Sequence, residues 1–101
     1  MKRYVQINIG ADTPSTPFSI GWVSSAFLGA VTRALEESTR GPFPRIETHH
    51  GVGQWLGHYE HSAHISTVAD VDTYALRVKL AEIKKTFNQD AIALIVGSDL
   101  I

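Results

Sequence analysis

The chain contains no cysteine, which excludes disulfides, thiolate metal sites and cysteine nucleophiles and fits a cytoplasmic setting. It also lacks an excess of charge. The 9 Lys and Arg residues against 10 Asp and Glu leave a net charge of -1, so no general attraction to nucleic acid or to an anionic membrane is expected. No apolar run approaches the roughly 18 residues of a membrane span. The N-terminal MKRYVQINIG interrupts its apolar positions with Gln6 and Asn8, unlike the continuous apolar core of a signal peptide. There is no P-loop, no G-x-G-x-x-G, and no glycine context of a hydrolase nucleophile turn.

What is present fits one domain over residues 1–101, with an ordinary apolar fraction of 44%. In residues 3–9, Val5, Ile7 and Ile9 alternate with Tyr4, Gln6 and Asn8, the period of a strand with one buried face. A loop rich in proline and turn formers follows. Val23, Ala26, Phe27, Ala30, Val31, Ala34 and Leu35 then recur at helical spacing. Thr16 before Pro17, or Ser19, is the expected cap of this helix, and Gly41-Pro42-Phe43-Pro44 ends it.

Residues 45–68 read as a β-hairpin holding all 5 histidines. Its second strand, over about residues 60–68, puts Glu60, Ser62, His64 and Ser66 on one face and His61, Ala63, Ile65 and Thr67 on the other. Asp70 or Asp72 caps a second helix with the apolar stripe Leu76, Leu80, Ile83 and Phe87. The final AIALIVG is apolar on both sides and reads as a strand covered on both faces.

The order β-α-β-β-α-β is the ferredoxin-like arrangement of the α+β class, a four-stranded antiparallel sheet with two helices on one face. In this topology the first and third strands are expected at the centre, paired in parallel as an exception within the sheet. The second and fourth are expected at the edges. Val5, Ile7, Ile9, Ala63 and Ile65 must then face the helices. The open face carries Tyr4, Gln6, Asn8, Glu60, Ser62, His64 and Ser66, joined by Glu47 and His49 if Ile46 and Val52 point inward.

Strand alternation argues against one histidine cluster. His49 and His50 point to opposite faces, as do His61 and His64, so no metal site is expected, although His49, His64 and Glu60 could meet across strands. Arg3, Arg33 and Arg45 could supply charge to an anion at the first helix N-terminus. RNA recognition through stacked bases is rejected, because the third strand offers Ser62 and His64 where aromatics are needed. Trp22 reads as a core or rim packer, and Trp55 as a packing residue, a lid or an interface anchor.

The motifs G-x-G-x-W (Gly51, Gly53, Trp55), E-x-S-A-H-I-S (Glu60 to Ser66) and F-x-Q-x-A-I-A (Phe87, Gln89, Ala91 to Ala93) resemble those of small α+β proteins of actinobacteria and their phages. That group is similar to a bacterial domain family of unknown function. Where the family has glycine before the glutamine this chain has Asn88, which tolerates the left-handed turn. The resemblance implies a ferredoxin-like fold and leaves a phage or a chromosomal origin open. It carries no catalytic residue.

These observations point to a non-catalytic, homo-oligomeric protein that holds a small polar ligand over the open face, with no cofactor. Gln6, Asn8, Ser62 and His64 are the expected ligand-binding residues, and Glu60, His49, Arg45 and Trp55 the expected rim. If phage-encoded, it would act in the host cytoplasm as a counter-defence protein sequestering a nucleotide immune signal. Two classes compete. One is an enzyme of the dimeric α+β-barrel kind using His64, with Glu60, as acid or base. The other is an inhibitor that covers a host protein's surface.

Overall fold

The computed structural model describes residues 1–13, 21–55 and 58–97, with the side chains of residues 54, 55 and 58 outside that description. The order is β1 (Arg3–Gly10), α1 (Ser25–Glu37), β2 (Ile46–Trp55), β3 (His58–Ala69), α2 (Thr73–Thr86) and β4 (Ala93–Val96). The strands form one sheet in the order β2-β3-β1-β4, and the fold is α+β and ferredoxin-like.

β1 and β3 occupy the centre but pair antiparallel, not in parallel as expected. The connection through α1 brings β2 back in the direction of β1, two positions away. The hairpin then reverses the chain, so β3 enters the gap running opposite to both neighbours. β1 and β4 are also antiparallel, so the sheet holds no parallel pair.

The register places Ile7 opposite Ile65 and Ile9 opposite Ala63. These side chains are buried with Val5 against Phe27, Val31, Ala34 and Leu35 of α1 and Leu76 and Leu80 of α2. Burial of each large aliphatic side chain contributes about 1.5–3 kcal/mol relative to exposure. Both helices therefore lie on one face, and the rings of Phe27 and Phe87 stack at 5.0 Å between centroids.

α1 starts later than the proline signal suggests. Ser24 is its cap, accepting from the Phe27 N–H at 3.1 Å, while Thr16 and Ser19 lie outside the described residues. Val23, just before the cap, is buried. The helix also stops before Gly41-Pro42: Ser38 is the C-cap, and Thr39 bridges to Val71. For α2 the cap is Asp72, accepting from the Ala75 N–H at 3.1 Å. Asn88, just after α2, has φ 52°, the left-handed conformation that asparagine tolerates better than most residues.

Two strands differ from expectation. The hairpin is longer, because Gly51 and Gly53 continue the ladder opposite Ser62 and Glu60 and β2 runs on to Trp55. It therefore projects past β1, whose pairing ends at Gly10 opposite Ser62. β4 is not covered on both faces: it alternates between exposed and half-buried, with Ile95 47% exposed. The helices cover one side of the sheet, and among the described residues no layer covers the other.

Candidate functional site on the open sheet face

Registration across the strands gives the open face its rows. One row reads Glu47, Ser66, Gln6, Ile95, and the next His49, His64, Asn8, Ala93. A third reads Gly51, Ser62, Gly10. Gln6, Asn8, Ser62 and His64 are thus brought together at the middle of the face, with His49 directly opposite His64. Ile46 and Val52 do lie on the helix side, so Glu47 and His49 join the open face as expected.

Three side chains of β1 form a hydrogen-bonded series on this face. The Tyr4 hydroxyl donates to Gln6 Oε1 at 2.6 Å, and Gln6 Nε2 donates to Asn8 Oδ1 at 2.7 Å. Alternate residues of a strand share a face at about 7 Å spacing, a span that these extended side chains bridge. At the β2 edge, Glu47 lies 3.7 Å from both Arg45 Nη2 and His49 Nε2. Those are loose, solvated contacts of little energetic weight, and Arg45 is a rim residue whose side chain is 90% exposed.

Glu60 has a different task from the one its sequence neighbours suggest. Its Oε2 accepts from the Asp12 N–H at 2.9 Å, and its carboxylate lies over the Cα of Gly10. A Cβ added there would stand 2.7 Å from the Glu60 carboxyl carbon. Glu60 thus ties down the chain leaving β1, four residues from His64 along β3. Pairing it with His64 for proton transfer has no direct contact to support it. The backbone of Trp55 pairs with His58 at the end of the hairpin, and the side chain expected at the rim lies outside the described residues.

His50 and His61 are on the other face. Trp22 is a rim residue, 65% exposed, with its ring 4.5 Å from His61 and 5.9 Å from His50 between centroids. His61 Nδ1 is buried without a hydrogen-bond partner among the described residues, beneath that indole. No 3 His, Asp or Glu side chains among the described residues gather closely enough to share a metal ion.

The arginines do not assemble an anion site either. Arg3 pairs with Ala69, and Arg45 precedes Ile46 at that same end of the sheet. α1 begins at the opposite end, near His61, and Arg33 is exposed two turns into the helix. A separate open groove of about 380 Å³ runs between α2 and β4, lined by Arg77, Leu80, Ala81, Lys84, Ala91, Ile92 and Leu94. It contains none of the predicted site residues.

Two site features were missing from the sequence-based expectation. Gly10 is matched to Glu60 across 50 positions of sequence, for which no local signal exists. Tyr4 was placed on the face, but its role at the head of a hydrogen-bonded series depends on rotamers that strand alternation does not specify. Among the described residues no helix is long and apolar enough to cross a membrane.

No family model and no curated protein matches the chain. Solved structures that share its fold include two of different origin. The de novo designed protein Foldit4 superposes with a TM-score of 0.58 at 13% identity, covering 99% of this chain and 100% of the design. A phage SAM lyase in complex with S-methyl-5'-thioadenosine superposes with a TM-score of 0.50 at 17% identity, covering 96% of this chain and 81% of the lyase. At these identities the likeness establishes a shared fold.

Proposed function

We propose that the chain is a non-catalytic binding protein that holds a nucleoside-like ligand over Asn8, Ser62 and His64, with Gln6 and His49 beside it. The observation that carries this reading is the row His49, His64, Asn8 beside Gly51, Ser62, Gly10. Polar side chains border a strip of small residues, open at Gly51 and covered by the Glu60 carboxylate at Gly10, on a face that the core does not need. Small-molecule sites combine a shaped apolar or backbone surface with a few convergent polar groups. A second copy of the chain is the proposed cover for this face, since Ile95 and Val68 lie on it 47% and 48% exposed. The phage SAM lyase of the same fold, bound to a thioadenosine, supports a nucleoside as the ligand class. It also fits a phage protein that withdraws a nucleotide signal from its host.

Titration of the labelled chain with S-methyl-5'-thioadenosine, followed by NMR, tests the reading. Amide shifts are expected at Asn8, Ser62 and His64, and His64→Ala should weaken binding about tenfold, the loss of one good hydrogen bond. Absence of shifts with this nucleoside and with ATP, together with no nucleoside retained in native mass spectra, removes the proposal.

One observation favours a second reading, that of an enzyme: the phage neighbour is a lyase, and His64 is an exposed imidazole on the same face. Incubation with SAM separates the two. Release of S-methyl-5'-thioadenosine that is lost in His64→Gln supports the enzyme, whereas unchanged SAM supports binding alone.

A further inference from the structure

We infer that Tyr4 is a positioning residue that fixes which end of the Asn8 amide faces the ligand, so that the open face recognises a hydrogen-bond acceptor. This rests on the binding site proposed above and specifies the chemistry of its ligand.

A primary amide is nearly isosteric when turned about its last bond, so either its oxygen or its NH₂ can be presented. Taken singly, Gln6 and Asn8 have this freedom. Coupled to Tyr4, they lose it. Gln6 Oε1 carries no proton, so at 2.6 Å from the Tyr4 oxygen the hydroxyl must be the donor. Gln6 Nε2 then faces Asn8 and requires an acceptor, which Asn8 Oδ1 supplies at 2.7 Å. The Asn8 oxygen is thereby committed within the chain, and the Nδ2 group of the same planar amide is turned away from Gln6.

The reverse order would need the Tyr4 oxygen to accept from Gln6. A phenol is the better donor of the two, because its lone pair is delocalised into the ring. Successive bonds in such a series also polarise one another, which reinforces the favoured direction. The ligand atom over Asn8 is therefore a ring nitrogen, a carbonyl or an ether oxygen. A ligand placing an N–H there would leave two donors facing each other, whereas a hydroxyl could still accept through its oxygen.

Scalar couplings transmitted across hydrogen bonds in the uniformly ¹³C,¹⁵N-labelled protein give a test that needs no ligand. A coupling between Gln6 Nε2 and Asn8 Cγ is expected, and one between Asn8 Nδ2 and Gln6 Cδ would overturn the inference. Tyr4→Phe should abolish the coupling or split the two amides into two forms, with the backbone spectrum retained. A single, unchanged coupling in that variant would remove Tyr4 from the role.

With S-methyl-5'-thioadenosine as probe, Tyr4→Phe should weaken binding about threefold. Gln6→Glu introduces a carboxylate that can only accept, which forces Asn8 Nδ2 inward and its oxygen outward, and should weaken binding at least about tenfold. Equal affinity of wild type and Gln6→Glu would overturn the inference. Failure of the wild type to bind the nucleoside would count against the proposed function, while the couplings still decide the direction of the series.

Discussion

Val5, Ile7 and Ile9 share a strand with Tyr4, Gln6 and Asn8, yet the two sets answer to different constraints. Ile7 is fully buried against residues from both helices, so its shape is set by everything around it. Gln6 and Asn8 are half-buried and satisfy each other along the strand. The core would lose little if they changed. One face thus specifies the fold, and the other is available to specify a ligand.

The largest effect should come from breaking the buried row. Ile7→Ala removes a fully buried side chain and should destabilise by about 2–5 kcal/mol, the usual cost of lost transfer energy plus a residual cavity. Chemical denaturation measures it, and a midpoint close to wild type would mean that the core is not centred on β1.

The next prediction compares two glycines of the open face. At Gly10 an added methyl meets the Glu60 carboxylate, which must swing away from the Asp12 N–H, so Gly10→Ala should destabilise by about 1 kcal/mol. At Gly51 nothing lies within 4 Å of the added atom, and alanine is better than glycine inside a strand by about 0.5–1 kcal/mol. Gly51→Ala should therefore stabilise. If the two variants shift stability in the same direction, Glu60 is not held over Gly10 in solution.

Much of this contrast was legible in the sequence, and the reason is the two-residue period. Once Val5, Ile7 and Ile9 must be buried, Gln6, Asn8, Ser62 and His64 have to share the opposite face, whatever the neighbouring loops do. Helix α1 was less legible at its start, because Thr16-Pro17 carries a valid capping signal whereas Ser24-Ser25 lies inside the apolar repeat. The direction of β3 against β1 follows from counting chain reversals, and residue patterns do not reveal it. The apolar character of β4 was visible, but what covers a strand depends on the layers around it. Strand alternation placed Glu60 on the face of His64 without a direct contact. Its partners, Gly10 and the Asp12 N–H, lie at the end of β1 and just beyond it.

On the open face itself, Asn8→Ala sharpens the comparison with Ile7. It removes an acceptor from a half-buried side-chain bond, so stability should change by no more than about 0.5–1.5 kcal/mol. Ligand binding should fall at least about tenfold, as for any loss of a key polar contact. Calorimetry and titration with S-methyl-5'-thioadenosine, run on the same sample, separate the two effects. A variant as unstable as Ile7→Ala would show that the polar row is part of the framework.

The smallest effect belongs to neither face. Asp70, just after β3, lies 3.0 Å from Arg40 Nη1 and 3.4 Å from the Met1 ammonium. Partial desolvation pushes its carboxyl up. The hydrogen bonds and positive charge of Arg40 and of the ammonium outweigh that and hold it below the usual 3.8. Because the folded value lies below the unfolded one, the contribution is fully present above pH about 4 and is lost as pH falls through the folded value. Asp70→Asn should therefore flatten the acid limb of the stability curve below that pH and leave neutral stability almost unchanged, since the pair is solvated and screened. The difference should shrink further in high salt. An acid limb as steep in Asp70→Asn as in wild type would place the acid sensitivity elsewhere.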